Sequence, residues 1–519
     1  MTALRRPPRR RGRTVVSVGN LASIIPVVVF LIVATGLGLY ARRASNSSGE
    51  GFVKEYFIGG RSLGGFVLAM TTIATYGSVS SFVGGPGQAW ETGFGWVYMA
   101  TVQVTALFLL YGILGKKMAL ISRKIGGVTV IDVIRARYNS NALAVASAAI
   151  IVLFFSATMI AQFVGGAKLF EAVTGYSYNV GLALFGIAVI VFTTIGGFRG
   201  VALTDTLCGI AMLVGIVVLA AGILNAGGGY ENIMATIEAN SPQLLEPFSA
   251  GAMPASLYFT QWLLVGVLTF ALPQSAVRCM GFKDTKALRQ AMIVGTVIIG
   301  AMMIGVTALG TLSAGVLTDD LAAYGGSVDN IIPTAIARTL PPWLAGIAII
   351  GPIAASISTV SSLLIAASSS IVKDLWLHRC ESRGRAVPDA TIARLSQLAT
   401  FVIGAVVFVL SIVPPDVIWR INMFAFGGLE TAFCWTFVLG LFWRGATKEG
   451  ALLSMVGGVI VYCACMAAGV TFFGMHQIVI GITVSLALMV VGSLASSRAA
   501  VRAGKQARPP QFEAFFPEK

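Results

Sequence analysis

The sequence predicts an all-α membrane protein that crosses the bilayer about thirteen times and contains two inverted repeats of five helices. The chain has 519 residues, of which 56% are apolar and 11% charged, and its mean hydropathy is +0.85. Apolar runs of about 20 residues, the length that spans a bilayer, recur along the whole chain. Two of these runs, five apart in order, are interrupted by glycine, proline and polar residues at corresponding places.

The composition argues against several other classes of protein. Soluble domains carry about 25% charged residues, and the polar stretches here are too short for a fused soluble domain. The net charge of +15 is typical of basic cytoplasmic loops, so no nucleic-acid partner is expected. None of the six cysteines forms a metal-type C-x-x-C pair, and no cofactor is indicated. Phosphate-binding loops, zinc-protease motifs and serine-hydrolase motifs are missing from the sequence, so an enzyme is not predicted.

Thirteen apolar runs are predicted as membrane spans and are numbered here in chain order. They are 18–40, 63–86, 94–115, 142–167, 177–197, 202–224, 256–278, 290–315, 343–372, 392–412, 418–442, 449–469 and 476–496. Spans 2 to 6 form the first predicted repeat and spans 7 to 11 the second, whereas span 1 and the last two spans flank this core. The corresponding domains are a basic tail 1–17, an extra helix 18–40, the repeats 63–224 and 256–442, two helices 449–496 and a cytoplasmic tail 497–519.

The orientation follows from the distribution of Lys and Arg. Of the 36 basic residues, 27 lie in or beside the loops that follow odd-numbered spans, and six of the other nine lie in the N-terminal tail. Because cytoplasmic loops are enriched in Lys and Arg, the internal loops place the C-terminus in the cytoplasm and the N-terminus outside. The basic tail opposes this orientation. Either the later loops dominate, or translation starts downstream, near Val15 or Val18.

Spans 2 and 7 are predicted to be broken helices. Span 2 contains Thr75-Tyr76-Gly77-Ser78 followed by Gly84-Gly85-Pro86-Gly87, and span 7 contains Gly266 followed by Thr269 to Gln274. An unwound segment exposes backbone carbonyls, which in lipid must line a cavity or bind a cation. Broken helices at matching places in two halves indicate an inverted-repeat transporter. The alternative is that glycine and proline are simply common in membrane helices.

Span 9 carries an unusual density of hydroxyl groups. The segment Ala354 to Ser362 contains five Ser or Thr residues in nine positions. Hydroxyl and carbonyl oxygens suit a hard monovalent cation, so this segment and an unwound span 2 together predict a Na⁺ site. The alternative is that these small residues only allow close helix packing.

Two carboxylates are predicted at membrane depth. Asp205 lies at the cytoplasmic start of span 6, and Glu430 lies in the middle of span 11. A carboxylate inside the membrane is a functional candidate by default, and both residues are candidates for coupling. A structural role is the alternative for each. Lys168 and Arg278 lie near the ends of spans, where snorkelling towards the headgroups explains a charge.

Several polar residues on spans 2, 3, 4 and 7 are candidates for a central solute cavity. They are Tyr76, Ser80, Ser81, Gln103, Gln162, Gln261, Thr269 and Gln274. Any one of them is more often an interhelical hydrogen bond than a ligand. Their convergence on a few spans favours a solute site.

Four separate segments resemble the sodium:solute symporter family. They are Tyr56 to Gly64, Gly196-Gly197-Phe198-Arg199 with Thr204-Asp205-Thr206, Ala354 to Thr359 with Lys373-Asp374-Leu375, and Gly440 to Trp443 with Ala446 to Ala451. Within that family, four further segments resemble the branch whose members carry pantothenate. They are Ser80 to Gly87, Gln162 to Ala167, Leu272-Pro273 with Ala276 to Cys279, and Ala425 to Glu430.

The resemblance implies a LeuT-like core of ten spans with flanking helices, alternating access, and a location in the inner membrane. It also implies a Na⁺ site and a solute site at the midplane. The implied Na⁺ ligands are the carbonyls of Ala74, Gly77 and Ala355 and the hydroxyls of Ser358 and Thr359. The implied substrate residues are Tyr76, Ser81, Gln103, Gln162 and Thr269, with pantothenate as the expected solute. In this view Na⁺ binds first, ties span 2 to span 9, and orders the unwound segment before the solute arrives.

Three other functions stay open at this stage. The first is a Na⁺ symporter for another solute, such as proline, a monocarboxylate or a sugar. The second is a transporter-like sensor, although the tail 497–519 is too short for a signalling domain. The third is a channel, which the two broken helices disfavour.

Overall fold

The computed structural model describes residues 21–45, 64–251, 253–413, 417–502 and 509–516. The basic tail 1–17, the start of span 1 and the segment from Tyr56 to Leu63 lie outside the described residues. The described parts are almost entirely helical, as the apolar runs predict. Helices suit a chain in lipid because they satisfy every backbone polar group within one segment.

Twelve helices in the described parts are long and apolar enough to cross a membrane, and a bent pair supplies the thirteenth span. The bent pair, span 2, is Gly65–Tyr76 with Ser80–Thr92. The other spans are, in chain order, Leu21–Gly38, Phe94–Lys124, Asn141–Thr174, Tyr178–Gly197, Gly200–Ala226, Ala255–Arg278, Thr285–Ser313, Pro342–Glu381, Asp389–Leu410, Ile418–Phe442, Lys448–Ala467 and Ile478–Arg502. Each of the thirteen predicted spans therefore has a counterpart.

Most differences from the predicted bounds are extensions beyond the apolar run. Span 3 continues as a helix through Lys116–Lys124, and span 9 continues through a π-helical segment, Ser370–Leu377, to Glu381. Hydropathy ends a span at the first charged residues, whereas a helix continues until a cap or a turn stops it. The apolar runs therefore predict the existence of each span better than the ends of its helix.

Capping residues and glycines set several helix ends. Thr129 and Asp132 form a reciprocal capping box at the start of the short helix Val130–Tyr138. Asp284 caps span 8 by accepting a hydrogen bond from the backbone N–H of Ala287 at 2.8 Å. Spans 5 and 6 join at Gly197, whose φ of 60° lies in the left-handed region that glycine adopts readily. The two spans are thus joined without a long loop.

Spans 9 and 11 lie at the centre of the molecule. In span 9, 89% of the most apolar window is buried, compared with 28% in spans 10 and 13. Span 9 packs against spans 1, 4 and 6, and span 11 packs against spans 4, 12 and 13. A helix that is surrounded by other helices must pack closely on every side. Small residues allow this close approach, which explains their frequency in both spans. The hydroxyl-rich segment therefore lies in the protein interior.

Candidate functional site

Span 2 is broken near the middle of its length. The first helix ends at Tyr76, and Gly77 has φ −65° and ψ 126°, an extended conformation. The second helical part begins at Ser80 after a bend of 64°. Because the break interrupts the i to i−4 ladder, its backbone groups need other partners. The N–H of Val79 finds one in the side-chain oxygen of Gln162, at 2.8 Å.

Span 7 is broken in the same way. It passes from the helix Ala255–Trp262 through a π-helical and a 3₁₀ segment before Pro273–Arg278 begins. Leu272 at this break has φ −65° and ψ 126°, the same values as Gly77. Pro273 fits the first turn of the second half because that position needs no N–H donor. The pairing of interrupted helices predicted from sequence is thus present in the structure.

The hydroxyl of Thr359 joins span 9 to the break in span 2. Its oxygen lies 3.1 Å from the carbonyl oxygen of Gly77 and 2.9 Å from that of Ala355. A hydroxyl has one proton, so it donates to only one of these carbonyls at a time. Three oxygens therefore converge where the sequence predicts a Na⁺ site.

The other two predicted ligands are less directly placed. Ala74 is fully buried one turn before Gly77. Ser358 is also fully buried, but its hydroxyl donates a hydrogen bond to the carboxylate of Asp205 at 2.6 Å. A donated proton leaves the lone pairs of the Ser358 oxygen available to a cation. The structure therefore adds Asp205 to the edge of the predicted site.

Asp205 is fully buried among donors from three other spans. Thr71 of span 2 donates to its Oδ2 at 2.6 Å, and Arg278 of span 7 approaches the same oxygen at 3.5 Å. Ser358 of span 9 completes the set. An isolated carboxylate at membrane depth costs about 2.5–3.5 kcal/mol on insertion scales, and these donors and the guanidinium offset that cost.

The snorkelling interpretation of Arg278 is wrong, whereas Lys168 is partly exposed and has an ion-pair partner. Arg278 is 2% exposed and lies inside the protein beside Asp205. Lys168 pairs with the buried Asp329 at 3.1 Å, and Asp329 also accepts a hydrogen bond from the backbone N–H of Ile418. Snorkelling requires a path from the span end to the headgroups, whereas both cations face partners on neighbouring segments.

Three of the predicted solute residues, Tyr76, Thr269 and Gln162, make hydrogen bonds at the two breaks. The hydroxyl of Tyr76 donates to the carbonyl of Val265 at 2.6 Å, and that of Thr269 donates to the carbonyl of Gly266 at 2.7 Å. Both bonds go to the irregular part of span 7. Ser81 and Gln103 are partly exposed. The structure thus brings Tyr76 and Thr269 to one break, whereas Gln162 lies at the other.

Several buried polar atoms near these breaks have no hydrogen-bond partner within the described ranges. They are Ser80 Oγ, Gln162 Nε2, Gln261 Oε1, Gln274 Oε1, Asn422 Oδ1 and both carboxylate oxygens of Glu430. Buried polar groups are nearly always paired, so these atoms are candidates to bind a solute or water. Glu430 is fully buried in the middle of span 11 and joins this set. Asn422 was not predicted from sequence, and only its position within an apolar run signalled it.

The family model for "Sodium:solute symporter family" matches residues 56–458. The sodium/pantothenate symporter of Escherichia coli is 40% identical over 476 residues, which cover 91% of this chain and 96% of the relative. The sodium/pantothenate symporter of Haemophilus influenzae is 39% identical over 480 residues, with 92% and 97% coverage. The match thus extends over nearly the whole of each chain.

One solved structure gives an independent view of the fold. A Na⁺-coupled sialic acid symporter superposes with a TM-score of 0.76 at 18% identity, covering 92% of this chain and 98% of the other. At this identity the likeness concerns the fold alone. Together with the two matching breaks, it confirms the LeuT-like all-α architecture predicted from sequence.

Proposed function

The chain belongs to the sodium:solute symporter family, and from that premise we propose that it imports pantothenate together with Na⁺ by alternating access. The observation that carries the substrate is the 40% identity over 91% of the chain to a sodium/pantothenate symporter. The proposal that Na⁺ is the coupling ion rests on the convergence of oxygen atoms from spans 2 and 9. Transport, not catalysis, is the activity of this family.

The proposed Na⁺ site consists of the carbonyls of Ala74, Gly77 and Ala355 and the hydroxyls of Ser358 and Thr359. All five donors are oxygen atoms, which a hard monovalent cation prefers. Thr359 supports the proposal most directly because its hydroxyl already contacts two of the carbonyls. A bound Na⁺ would take the place of the Thr359 hydrogen bond as the link between the two spans. It would also fix the break of span 2.

The proposed solute site lies between the two breaks. Tyr76, Ser81, Gln103, Gln162 and Thr269 are its proposed lining residues. The unpaired amide nitrogen of Gln162 supplies a hydrogen-bond donor. Glu430, in its protonated form, supplies a polar group that suits the hydroxyls and the amide of pantothenate. The N-terminus of the second half of a broken helix carries a partial positive charge. It can therefore stabilise the carboxylate of pantothenate without an arginine in the site.

The transport cycle follows from this arrangement. Na⁺ binds first and orders the unwound part of span 2, since one ligand, Gly77, lies in the break and another, Ala74, lies one turn before it. The solute then binds against the ordered break. Closure on the outer side and opening on the inner side release both together. The spans 63–224 and 256–442 are the two repeats in this proposal, with the C-terminus in the cytoplasm and the N-terminus outside.

The test is uptake of labelled pantothenate into proteoliposomes with and without an inward Na⁺ gradient. The wild type is compared with a variant carrying Ser358→Ala and Thr359→Ala. We expect saturable, Na⁺-dependent uptake in the wild type and its loss in the variant. A matched control carries Ser368→Ala and Ser370→Ala in the same span, where each hydroxyl donates only to a carbonyl of its own helix. This control should retain Na⁺-dependent uptake.

The outcomes separate ion from substrate. Uptake that is indifferent to Na⁺ would exclude the coupling mechanism. Absence of pantothenate uptake, while Na⁺ still raises the melting temperature of the purified protein, would retain the cation site and remove the substrate. Proline, a monocarboxylate and a sugar would then be tested as competitors for the remaining solute site.

A further inference from the structure

Arg278 lies beside the proposed Na⁺ site and binds elements from both broken spans. It is the last residue of the helix Pro273–Arg278, the second half of span 7. One guanidinium nitrogen donates to the hydroxyls of Thr75 and Ser362 and approaches Asp205 at 3.5 Å. Another donates to the carbonyl of Gln274 at 2.8 Å. The guanidinium thus contacts residues of spans 2, 6, 7 and 9.

The hydrogen-bond acceptors of this guanidinium nitrogen are all oxygens. They comprise one carboxylate oxygen of Asp205 and the hydroxyls of Thr75 and Ser362, which lie 3.2 Å from each other. A carboxylate with neighbouring hydroxyls is also the donor set that a monovalent metal cation accepts. Arg278 fills this position with a charge that is permanent and covalently attached.

The cluster is directly connected to the proposed Na⁺ site. Ser358, a proposed Na⁺ ligand, donates its hydroxyl proton to the other carboxylate oxygen of Asp205 at 2.6 Å. A buried carboxylate that stays ionised is stabilised by a positive partner, whether that partner is a side chain or an ion. If no side chain supplied it, Asp205 would attract a second cation next to the first.

We propose that Arg278 is a resident counter-charge that takes the place of a second transported cation and so fixes the cycle at one Na⁺ per solute. This inference rests on the proposed function, since it concerns the count of the coupling ion. One Na⁺ carried with one monovalent anion moves no net charge. The wild-type transporter is therefore electroneutral, and membrane voltage does not drive its uptake.

The first test uses the wild type alone. Equilibrium binding of ²²Na⁺ to the purified protein should give one ion per molecule, and uptake should rise with Na⁺ concentration with a Hill coefficient of one. Uptake rates should be equal with and without an inside-negative potential imposed by potassium and valinomycin. Two bound ions, or uptake stimulated several-fold by voltage, would overturn the proposal.

The second test removes the counter-charge. Arg278→Gln should bind two ²²Na⁺ per molecule, show a Hill coefficient near two, and respond several-fold to an inside-negative potential. Arg278→Lys keeps a positive charge and should behave as the wild type in all three measurements. One bound ion and a voltage-insensitive uptake in Arg278→Gln would contradict the inference, because Asp205 would then need no cation in place of arginine.

The third test neutralises the whole pair and covers the case in which Arg278→Gln does not fold. A double variant with Arg278→Gln and Asp205→Asn should again bind one ²²Na⁺, because the carboxylate that attracts the second ion is gone. Loss of all Na⁺ binding in the double variant would make Asp205 a ligand of the first ion and overturn the proposal. Ion counts do not require a transported solute, so failure here is distinguishable from failure of the proposed substrate.

Discussion

Thr359 and Ser358 are neighbours in span 9, yet their hydroxyls serve different parts of the molecule. Thr359 contacts the break of span 2 through the carbonyl of Gly77, whereas Ser358 donates to Asp205 on span 6. Adjacent residues on a helix point about 100° apart, since one turn takes about 3.6 residues. A pair of neighbouring hydroxyls can therefore connect one helix to two others.

His476 provides a test of burial at the residue scale. It lies in the loop between spans 12 and 13, is 9% exposed, and its Nδ1 accepts a hydrogen bond from the backbone N–H of Ile478. Burial lowers the pKa of this imidazole to about 4. The folded state thus keeps it neutral at pH values where an unfolded chain, with a pKa near about 6.5, takes up a proton.

The sign of the pH effect follows from proton counts. Stability contributed by neutral His476 is complete above about pH 6.5 and is lost as the pH falls towards about 4, because the unfolded state binds more protons in that range. We expect the wild-type melting temperature to fall between pH 7 and 4.5, and His476→Asn, which keeps an acceptor, to fall less. The difference corresponds to at most about 3 kcal/mol.

Thermal unfolding of the detergent-solubilised protein at several pH values measures this difference. The other histidine of the chain, His378, supplies the matched control. His378→Asn should alter the acid loss less than His476→Asn does, because His378 is only partly buried. Parallel curves for the wild type and His476→Asn would contradict the assignment of the acid loss to His476.

At the scale of elements, close backbone packing holds the second half of span 2. This half crosses span 8 so closely that a Cβ on Gly310 would overlap the carbonyl of Pro86. Overlap with backbone atoms cannot be relieved by a rotamer change, so one of the two helices must move. The crossing of these two helices thus depends on a glycine in span 8.

We therefore expect Gly310→Ala to destabilise the protein by about 1–3 kcal/mol and to reduce Na⁺-dependent uptake. The matched control is Gly305→Ala in the same span, where the nearest atom, Cγ2 of Ile216, lies 3.9 Å from the added Cβ. Melting temperature and initial uptake rate are the measurements. Equal effects of the two substitutions would mean that helix propensity, and not the crossing, determines the result.

At the scale of the whole molecule, charge separates the two faces. The long segment after span 6 contains Glu231 and Glu238 and has no Lys or Arg before span 7. The segment after span 8 contains Asp319, Asp320 and Asp329 and has no Lys or Arg before Arg338. Basic residues concentrate in the loops of the opposite face. Because basic loops stay in the cytoplasm, the acidic segments should face outwards.

Cysteine labelling tests this orientation. In a variant whose six native cysteines are replaced, Asp320→Cys should react with a membrane-impermeant maleimide on intact cells. Arg385→Cys, in the loop after span 9, should react only after the cells are permeabilised. Both native residues are exposed, so reactivity reports the side of the membrane and not burial. The reverse pattern would invert the proposed topology.

The sequence by itself determined the spans, the two breaks and the hydroxyl-rich segment. These features depend on local properties, since about 20 apolar residues form a spanning helix wherever they occur and an interrupted run breaks it. Gly77 and Leu272 with Pro273 were identifiable for that reason. The Na⁺ ligands and solute residues stay predictions, although Gly77, Ala355 and Thr359 lie together.

Only the tertiary structure decided which charges and hydroxyls meet. Asp205 and Arg278 are 73 positions apart, and nothing in either span specifies the crossing that pairs them. Their signal in the sequence was that both are charges within apolar runs, which in lipid require partners. The identity of a partner depends on helix rotation and crossing, which arise from packing summed over all the spans. This is why the sequence predicted the segments of a Na⁺ site but did not predict the arginine beside them.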